Sequence, residues 1–210
     1  MSNLTRLVVL ISGSGSNLGA ILKASAEGRL AANVAAVVSN NPSAFGLERA
    51  RNAGVPAAVH LSKKSQPRAD YDAELAEIVK QHSPDLVILA GWMRILSMAF
   101  LEHFPGQVIN LHPALPGTFP GAHGIAEAYS AFQAGKISHT GVMIHYVPDE
   151  GVDDGPVIAT ELVPIFSSDS QDDLEKRIHQ VEHRLLVSAI QSVINEKEIK
   201  NAHRLVVSIR

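Results

Sequence analysis

Runs of aliphatic and β-branched residues alternate with amphipathic segments through the first half of the chain. Uninterrupted apolar runs predict buried strands at residues 7–11, 34–39, 57–60, 86–90 and 108–111. Apolar residues at helical spacing predict helices between them, at residues 18–26, 45–53 and 68–81. Because strands that alternate with helices build parallel sheets, the pattern favours an α/β fold with a Rossmann-like, doubly wound, mostly parallel sheet.

The pattern changes after residue 112. The sequence then predicts a Gly/Pro-rich loop over residues 113–123, a helix over 125–134, strands over 141–147 and 156–163, one long C-terminal helix over 169–195 and a last short strand over 203–209. A polar, acidic connection joins the strands at 141–147 and 156–163, which can therefore pair as an antiparallel extension of the sheet. No repeat or disordered linker divides the chain.

Composition and charge narrow the class of protein. The chain has 210 residues, a formal net charge of -3 and no cysteine, so disulfides, thiolate metal sites and a cysteine nucleophile are excluded. Without a basic surplus, no nucleic-acid partner is expected. No apolar run approaches the roughly 18 residues that a membrane span requires, and residues 1–6 do not resemble a signal peptide. We therefore expect a cytoplasmic enzyme without a membrane partner.

Two polar residues close the strand predicted at residues 108–111. Asn110 and His112 stand two positions apart, before Pro113. Residues i and i+2 of a strand face the same side, so both side chains should project together from the carboxyl end, where doubly wound sheets bind ligands. Such a pair can donate hydrogen bonds to a developing oxyanion and move a proton, as acyl-type transfer requires. The alternative is a satisfied histidine beside a turn-forming asparagine.

A Gly/Ser-rich segment, residues 12–17, separates the first strand from the first helix. Its glycines allow close backbone approach to an anion, and the helix N-terminus offers unpaired N–H groups. Ser16 and Asn17 can donate to that anion or cap the helix. The segment is neither a dinucleotide fingerprint, because Leu18 replaces the third glycine, nor a Walker loop. An anion site is therefore favoured over a plain turn.

An acidic connection packs four carboxylates into residues 149–155. It is either a solvated turn or the source of a carboxylate that orients His112 and keeps its imidazolium charged. The segment does not match a calcium-binding EF-hand, and the ten histidines of the chain lack zinc-ligand spacing, so no metal is expected.

Two further segments give weaker evidence of a functional role. Residues 91–96, after the strand at 86–90, form either one wall of a pocket for a planar ligand or a strand-to-helix turn. In the long helix, Glu182 and His183 lie beside the apolar stripe, and local reasoning favours a solvated edge for both.

Taken in order, these motifs resemble the phosphoribosylglycinamide formyltransferases, a folate-dependent branch of the formyltransferase superfamily in purine synthesis. The resemblance covers roughly residues 5 to 195 and rests on residues 11–18, 45–50, 89–96, 110–113, 152–156 and 182–183. It implies transfer of the formyl group of 10-formyltetrahydrofolate, a co-substrate, to the primary amine of glycinamide ribonucleotide. It further implies one domain over residues 1–210, with a phosphate-binding half at 1–105 and a catalytic and folate-binding half at 106–210.

The resemblance also implies roles for individual residues. The catalytic group would be Asn110, His112 and Asp153. The ribonucleotide would be held by Gly15, Ser16, Asn17 and Glu182. The folate would be held by Met93, Arg94, Ile95, Leu96, Asn110, Asp149, Glu150, Gly151 and Val152, with Arg68 near its glutamyl tail. The partners would be small molecules, and the protein would be a monomer or a homodimer.

Three departures from the family pattern matter. The loop at residues 114–121 is a variant that lacks a lysine, Ser14 stands at a variable position, and the acidic loop is one residue longer, with Pro148 inserted. Asp153 is the best catalytic match, and Asp149 and Asp154 remain the alternatives. Other functions left open are a formyltetrahydrofolate hydrolase and a non-catalytic phosphate-binding module with a Rossmann-like sheet.

Overall fold

A computed structural model describes residues 4–208, with side chains described up to residue 200. The strands are β1 (Thr5–Ile11), β2 (Ala32–Ser39), β3 (Ala57–Val59), β4 (Leu86–Leu89), β5 (Val108–His112), β6 (His139–Tyr146) and β7 (Val157–Pro164). The helices are α1 (Ser16–Ala26), α2 (Phe45–Asn52), α3 (Arg68–Lys80), α4 (Met98–Leu101), α5 (Gly124–Gln133) and α6 (Gln171–Ser208).

All seven strands form one sheet in the order β3-β2-β1-β4-β5-β6-β7. The first five strands pair in parallel, and β6 and β7 extend the sheet with antiparallel pairing. The predicted doubly wound sheet with an antiparallel extension is therefore confirmed. The chain reverses its direction of winding between β1 and β4, and the carboxyl ends of such strands form a ligand cleft.

Apolar side chains fill both faces of the sheet. Along β1, Leu7 and Val9 face the layer that contains α1 and α6, whereas Val8 and Leu10 face the layer that contains α3 and α4. All four side chains are fully buried. A strand covered on both sides needs an unbroken apolar run, which explains why the strand signal is continuous here rather than alternating.

The C-terminal prediction was partly wrong. The long helix does form, but it continues to Ser208, where a last strand at residues 203–209 was expected; residue 209 lies outside the described part. A strand needs a neighbour to satisfy its backbone groups, whereas a helix satisfies them internally, so an aliphatic run can continue α6. The short helix α4 was not predicted.

Across residues 4–208, no helix combines the length and apolar character that crossing a membrane would require.

Candidate active site

Two adjoining cavities open at the carboxyl ends of β1, β4 and β5. The first, of about 310 Å³, is lined by residues of the 91–96 segment, by the end of β5 and by the acidic loop. The second, of about 420 Å³, is lined by the Gly/Ser loop, the start of α5 and one face of α6. Both cavities touch Gly91, Met93, Leu111, Pro113 and Ala122. Two ligands can therefore meet at the end of β5.

Asn110, His112 and Asp153 come together on the wall of the first cavity, beside Leu111 and Pro113, which both cavities share. The Asn110 Nδ2 atom donates to Asp153 Oδ1 at 3.0 Å, and His112 Nδ1 lies 3.2 Å from Asp153 Oδ2. The backbone N–H of Gly121 also donates to Asp153 Oδ2, at 2.8 Å. Of the acidic-loop carboxylates left open by the sequence, it is thus Asp153 that contacts His112, whereas Asp149 accepts a hydrogen bond from Gly151 N within its own loop.

Both ring nitrogens of His112 face oxygen acceptors. Nε2 lies 3.0 Å from the carbonyl oxygen of Phe119, opposite the Asp153 carboxylate at Nδ1. A neutral imidazole carries only one N–H, so the doubly protonated ring is the form that satisfies both contacts. The His112 side chain is buried, which makes the pairing with a carboxylate electrostatically important.

The electrostatic balance at Asp153 favours its ionised form. Burial raises the pKa of the Asp153 carboxyl, but the Gly121 N–H and the positive charge of His112 act against burial, and that pKa lies below its usual value. The carboxylate therefore remains available as the counter-charge of the His112 imidazolium.

Two residues that contact His112 have backbone conformations that side chains seldom adopt. Phe119 has a φ of 44° and Asp153 a φ of 53°, both in the left-handed region. Phe119 also precedes Pro120, and a residue before proline normally prefers extended backbone. Such conformations cost on the order of 1–3 kcal/mol each and persist where surrounding contacts impose them. Here they aim a carbonyl oxygen and a carboxylate at the two sides of one imidazole.

His145 is a member of this cluster that the sequence reasoning missed. It is buried on β6, directly opposite Asn110 in the antiparallel register. Its Nδ1 lies 2.8 Å from the Tyr146 carbonyl oxygen, and its Nε2 lies 3.1 Å from Asn110 Nδ2. With the proton on Nδ1, Nε2 accepts from the Asn110 amide and fixes which way that amide points. The only available signal was a polar residue directly after the apolar run at residues 142–144.

The predicted ribonucleotide residues lie together in the second cavity, which Gly15, Ser16, Asn17 and Glu182 all line. Gly15 is the N-cap of α1 with a φ of 65°, and no side chain caps the helix. The cap role considered for Ser16 and Asn17 was therefore wrong, because Gly15 adopts the turn and α1 already begins at Ser16. The unpaired N–H groups of the first turn of α1 lie at the end of the helix that borders the second cavity.

Glu182 is buried rather than on a solvated edge, so that part of the local interpretation was wrong. Its side chain accepts a hydrogen bond from Asn17 Nδ2 at 2.9 Å and lies 2.8 Å from His179 Nδ1. The contact with Asn17 joins residues 165 positions apart, which no local pattern could reveal. Its neighbour His183 is partly buried, and burial lowers the pKa of His183.

Most of the predicted folate residues line the first cavity: Met93, Arg94, Ile95, Leu96, Asn110, Asp149, Gly151 and Val152. The wall that residues 93–96 form is anchored at both ends. Met93 N donates to Ser12 Oγ at 2.8 Å, and Ser97 N donates to the fully buried Asp72 carboxylate at 2.7 Å. The Arg94 guanidinium lies over the Tyr71 ring, 4.1 Å from its centroid.

Arg68 and Glu150 do not line this cavity. They form an exposed ion pair with each other, and Glu150 Oε1 also accepts from the backbone N–H of Met98 at 3.0 Å. The pair therefore connects the acidic loop to α3 and to the segment that follows the 93–96 wall. Exposed pairs of this kind contribute only about 0–1 kcal/mol, so Arg68 is easily released to another carboxylate.

Within the part of the chain that the structure describes, no group of three or more His, Cys, Asp or Glu side chains could hold a metal ion.

The fold that builds these two cavities is that of a known protein family. Residues 5–190 match the family model described as formyl transferase, and the chain belongs to that family. It is 48% identical over 204 residues to the phosphoribosylglycinamide formyltransferase of Schizosaccharomyces pombe, which covers 91% of this chain and 98% of that protein. It is 44% identical over 179 residues to the Escherichia coli K12 protein of the same name, with 85% and 82% covered.

Solved structures show the same relationship. Glycinamide ribonucleotide transformylase 1 from Symbiobacterium toebii aligns with a TM-score of 0.85 at 41% identity, covering 91% of this chain and 88% of that chain. Phosphoribosylglycinamide formyltransferase from Streptococcus pneumoniae TIGR4 aligns with a TM-score of 0.82 at 37% identity, covering 91% and 99%. At these identities the likeness extends beyond the fold to the family.

Proposed function

We propose that this chain transfers the formyl group of 10-formyltetrahydrofolate to the primary amine of glycinamide ribonucleotide. The products are formylglycinamide ribonucleotide and tetrahydrofolate, in de novo purine biosynthesis. Family membership and the close relatives support the reaction. The structural observation that carries the proposal is the cluster of Asn110, His112 and Asp153 in the first cavity, beside the residues that both cavities share. The cytoplasmic location, the one-domain organisation with two halves and the monomeric or homodimeric state stay predictions.

Each substrate has a cavity of suitable character. The ribonucleotide phosphate would bind at Gly15, Ser16 and Asn17, where a helix N-terminus favours an anion. Its glycinamide amine would lie near Glu182. The pterin would lie in the first cavity, between residues 93–96 and residues 149, 151 and 152 of the acidic loop, and the wall of that cavity is more apolar than polar. Arg68 would release Glu150 and bind the carboxylate of the glutamyl tail.

The reaction would proceed by direct attack. The substrate amine adds to the formyl carbon, and the formyl oxygen becomes an oxyanion that the Asn110 amide and the His112 imidazolium stabilise. In the described state, His112 Nε2 is directed at the Phe119 carbonyl, and the Asn110 amide at Asp153 and His145. The formyl oxygen would therefore compete for these donors. One such donor is typically worth roughly 3–4 kcal/mol of transition-state stabilisation.

Asp153 would keep His112 cationic and assist movement of the amine proton to the departing folate nitrogen through water. Collapse of the tetrahedral intermediate breaks the bond between the formyl carbon and that nitrogen, which leaves as the amine of tetrahydrofolate. No serine nucleophile next to a base is part of this group, so no covalent enzyme intermediate is required. Binding both substrates in adjoining cavities supplies the proximity contribution.

A single assay tests the function. The protein is incubated with 10-formyltetrahydrofolate, with and without glycinamide ribonucleotide, and folate absorbance is followed. We expect turnover only when both substrates are present. Equal turnover with folate alone would identify a hydrolase, and an absence of turnover in both reactions would identify a phosphate-binding module; either result would contradict the proposal.

A further inference from the structure

The cavity assigned to the phosphorylated substrate is poor in positive charge. Among the described residues that line it there is no lysine or arginine, and its ionisable side chains are His123, Glu175, His179 and Glu182. Two of these four are carboxylates, which repel a phosphate. The N-terminus of α1 contributes a partial positive charge, but a dianion in such surroundings calls for a further source of attraction.

A cation lies immediately behind the loop. Arg49 of α2 donates from Nε to the carbonyl oxygen of Ser14 at 2.9 Å. Its side chain runs past two glycines: a Cβ atom at Gly15 would lie 3.6 Å from Arg49 Cδ, and one at Gly19 would lie 3.4 Å from Arg49 Nη1. The Phe45 ring supports the guanidinium, 4.9 Å from its centroid to Cζ.

The glycine at position 19 is informative because it lies inside α1. Glycine in a helix costs about 1 kcal/mol relative to alanine. A larger side chain at this position would approach the Arg49 guanidinium, so the bare helix surface leaves room for it. Arg49 is thus accommodated against the first turns of α1 rather than exposed on the surface of its own helix.

The hydrogen bonds from α2 also orient the loop backbone. Gly46 N donates to the Gly13 carbonyl oxygen at 3.1 Å, and Arg49 Nε holds the carbonyl oxygen of Ser14. In a trans peptide unit the C=O and the following N–H point in opposite directions. Two consecutive carbonyl groups held toward α2 therefore direct the N–H groups of Ser14 and Gly15 away from α2, and both residues line the second cavity.

We propose that Arg49 is a positioning residue for the substrate phosphate. It acts from behind the Gly/Ser loop: it holds the Ser14 carbonyl so that the next N–H faces the cavity, and it adds a fixed positive charge next to the N-terminus of α1. This inference rests on the proposed function, because it assumes that the anion in this cavity is the ribonucleotide phosphate.

The test compares glycinamide ribonucleotide with the corresponding riboside, which lacks the phosphate. Arg49→Gln should raise the KM for the ribonucleotide about tenfold, with kcat and the folate KM changed less than twofold. It should leave riboside turnover nearly unchanged, so the preference for the phosphorylated substrate falls. Arg49→Lys, which retains the charge, should recover part of that preference. Arg51→Gln removes an exposed arginine from the same helix and is the matched control.

A merely structural role predicts a different result, in which ribonucleotide and riboside turnover fall together and the unfolding temperature drops. That outcome would overturn the proposal, as would an unchanged phosphate preference in Arg49→Gln. Calorimetric titration with ribose 5-phosphate separates this inference from the proposed function. Suppose that the wild type binds ribose 5-phosphate, that Arg49→Gln binds it about tenfold more weakly, and that neither protein transfers formyl groups. The role of Arg49 in phosphate binding would then stand, and the proposed reaction would be contradicted.

Discussion

His112 Nδ1 lies 3.2 Å from Asp153 Oδ2, although the two residues belong to different segments, the end of β5 and the acidic loop after β6. The other ring nitrogen of His112 lies 3.0 Å from the Phe119 carbonyl. The ring is therefore held between a carboxylate and a carbonyl oxygen, and the doubly protonated ring can donate to both.

The first prediction concerns His112 itself. His112→Ala should retain folate binding and lower kcat by several orders of magnitude, because it removes an oxyanion donor and leaves Asp153 without its positive partner. Steady-state kinetics and a folate titration measure the two effects separately. Near-normal turnover of the variant would remove His112 from the mechanism.

The second prediction concerns His145, which accepts from the Asn110 amide. His145→Leu should lower kcat about fivefold, since one hydrogen bond of ~1 kcal/mol that fixes the amide orientation is lost. Both KM values should change little. His145→Gln, which offers an acceptor oxygen on a chain of similar reach, should restore part of kcat. Equal losses in the two variants would indicate that His145 contributes only packing.

The third prediction uses the pH dependence of ribonucleotide binding. The hydrogen bond with Glu182 is the main cause that raises the pKa of His179, with burial acting against it and Glu175 adding to it. His179 is therefore cationic below this raised pKa and neutral above it. The neighbouring titratable groups on the same helix face are Glu175, Glu182 and His183.

Because a cationic His179 offsets the negative charge of Glu175 and Glu182 in the phosphate cavity, the ribonucleotide KM should rise as pH increases through the pKa of His179. The variant His179→Gln should lose this pH-dependent increase, while the titration of the substrate phosphate itself affects both proteins equally. We test this pH dependence by measuring the ribonucleotide KM of both proteins from about pH 5.5 to about pH 8.5. These limits lie about one unit or more on either side of the ordinary histidine pKa. A profile identical in both proteins would contradict it; the folate KM is the internal control.

The fourth prediction concerns stability in acid. The Arg177 guanidinium, bonded to the Asp169 carboxylate at 2.6 and 2.8 Å, and the Phe166 N–H lower the pKa of Asp169 to about 2. An unfolded aspartate titrates near ~3.9. The stabilisation is therefore complete above that value and is lost as pH falls toward the folded pKa.

Urea unfolding between neutral pH and acid measures this effect. Asp169→Asn should be less stable than the wild type near neutral pH, and the difference should shrink as the pH falls toward about 2, where the wild-type carboxylate becomes protonated. Asp172→Asn, an exposed aspartate in the first turn of α6, is the control. A stability difference that is independent of pH would show that the ion pair with Arg177 is not its source.

Local periodicity was sufficient for much of the fold. The continuous apolar runs predicted β1, β2, β4 and β5 because parallel strands buried on both faces admit few polar residues. The same two-residue period placed Asn110 and His112 together at the end of β5. The prediction failed at residues 203–208, where aliphatic residues suit either state and the choice depends on whether a neighbouring strand exists.

The sequence by itself determined most of the order of elements, the paired polar residues that close β5 and the Gly/Ser loop before α1, because each depends on backbone periods or on conformations of adjacent residues. Tertiary structure alone decided that Asp153 rather than Asp149 or Asp154 contacts His112, and that His145 lies opposite Asn110. It likewise buried Glu182 against Asn17. These contacts join segments far apart in the chain, and only sheet register and helix packing bring such segments within hydrogen-bond distance.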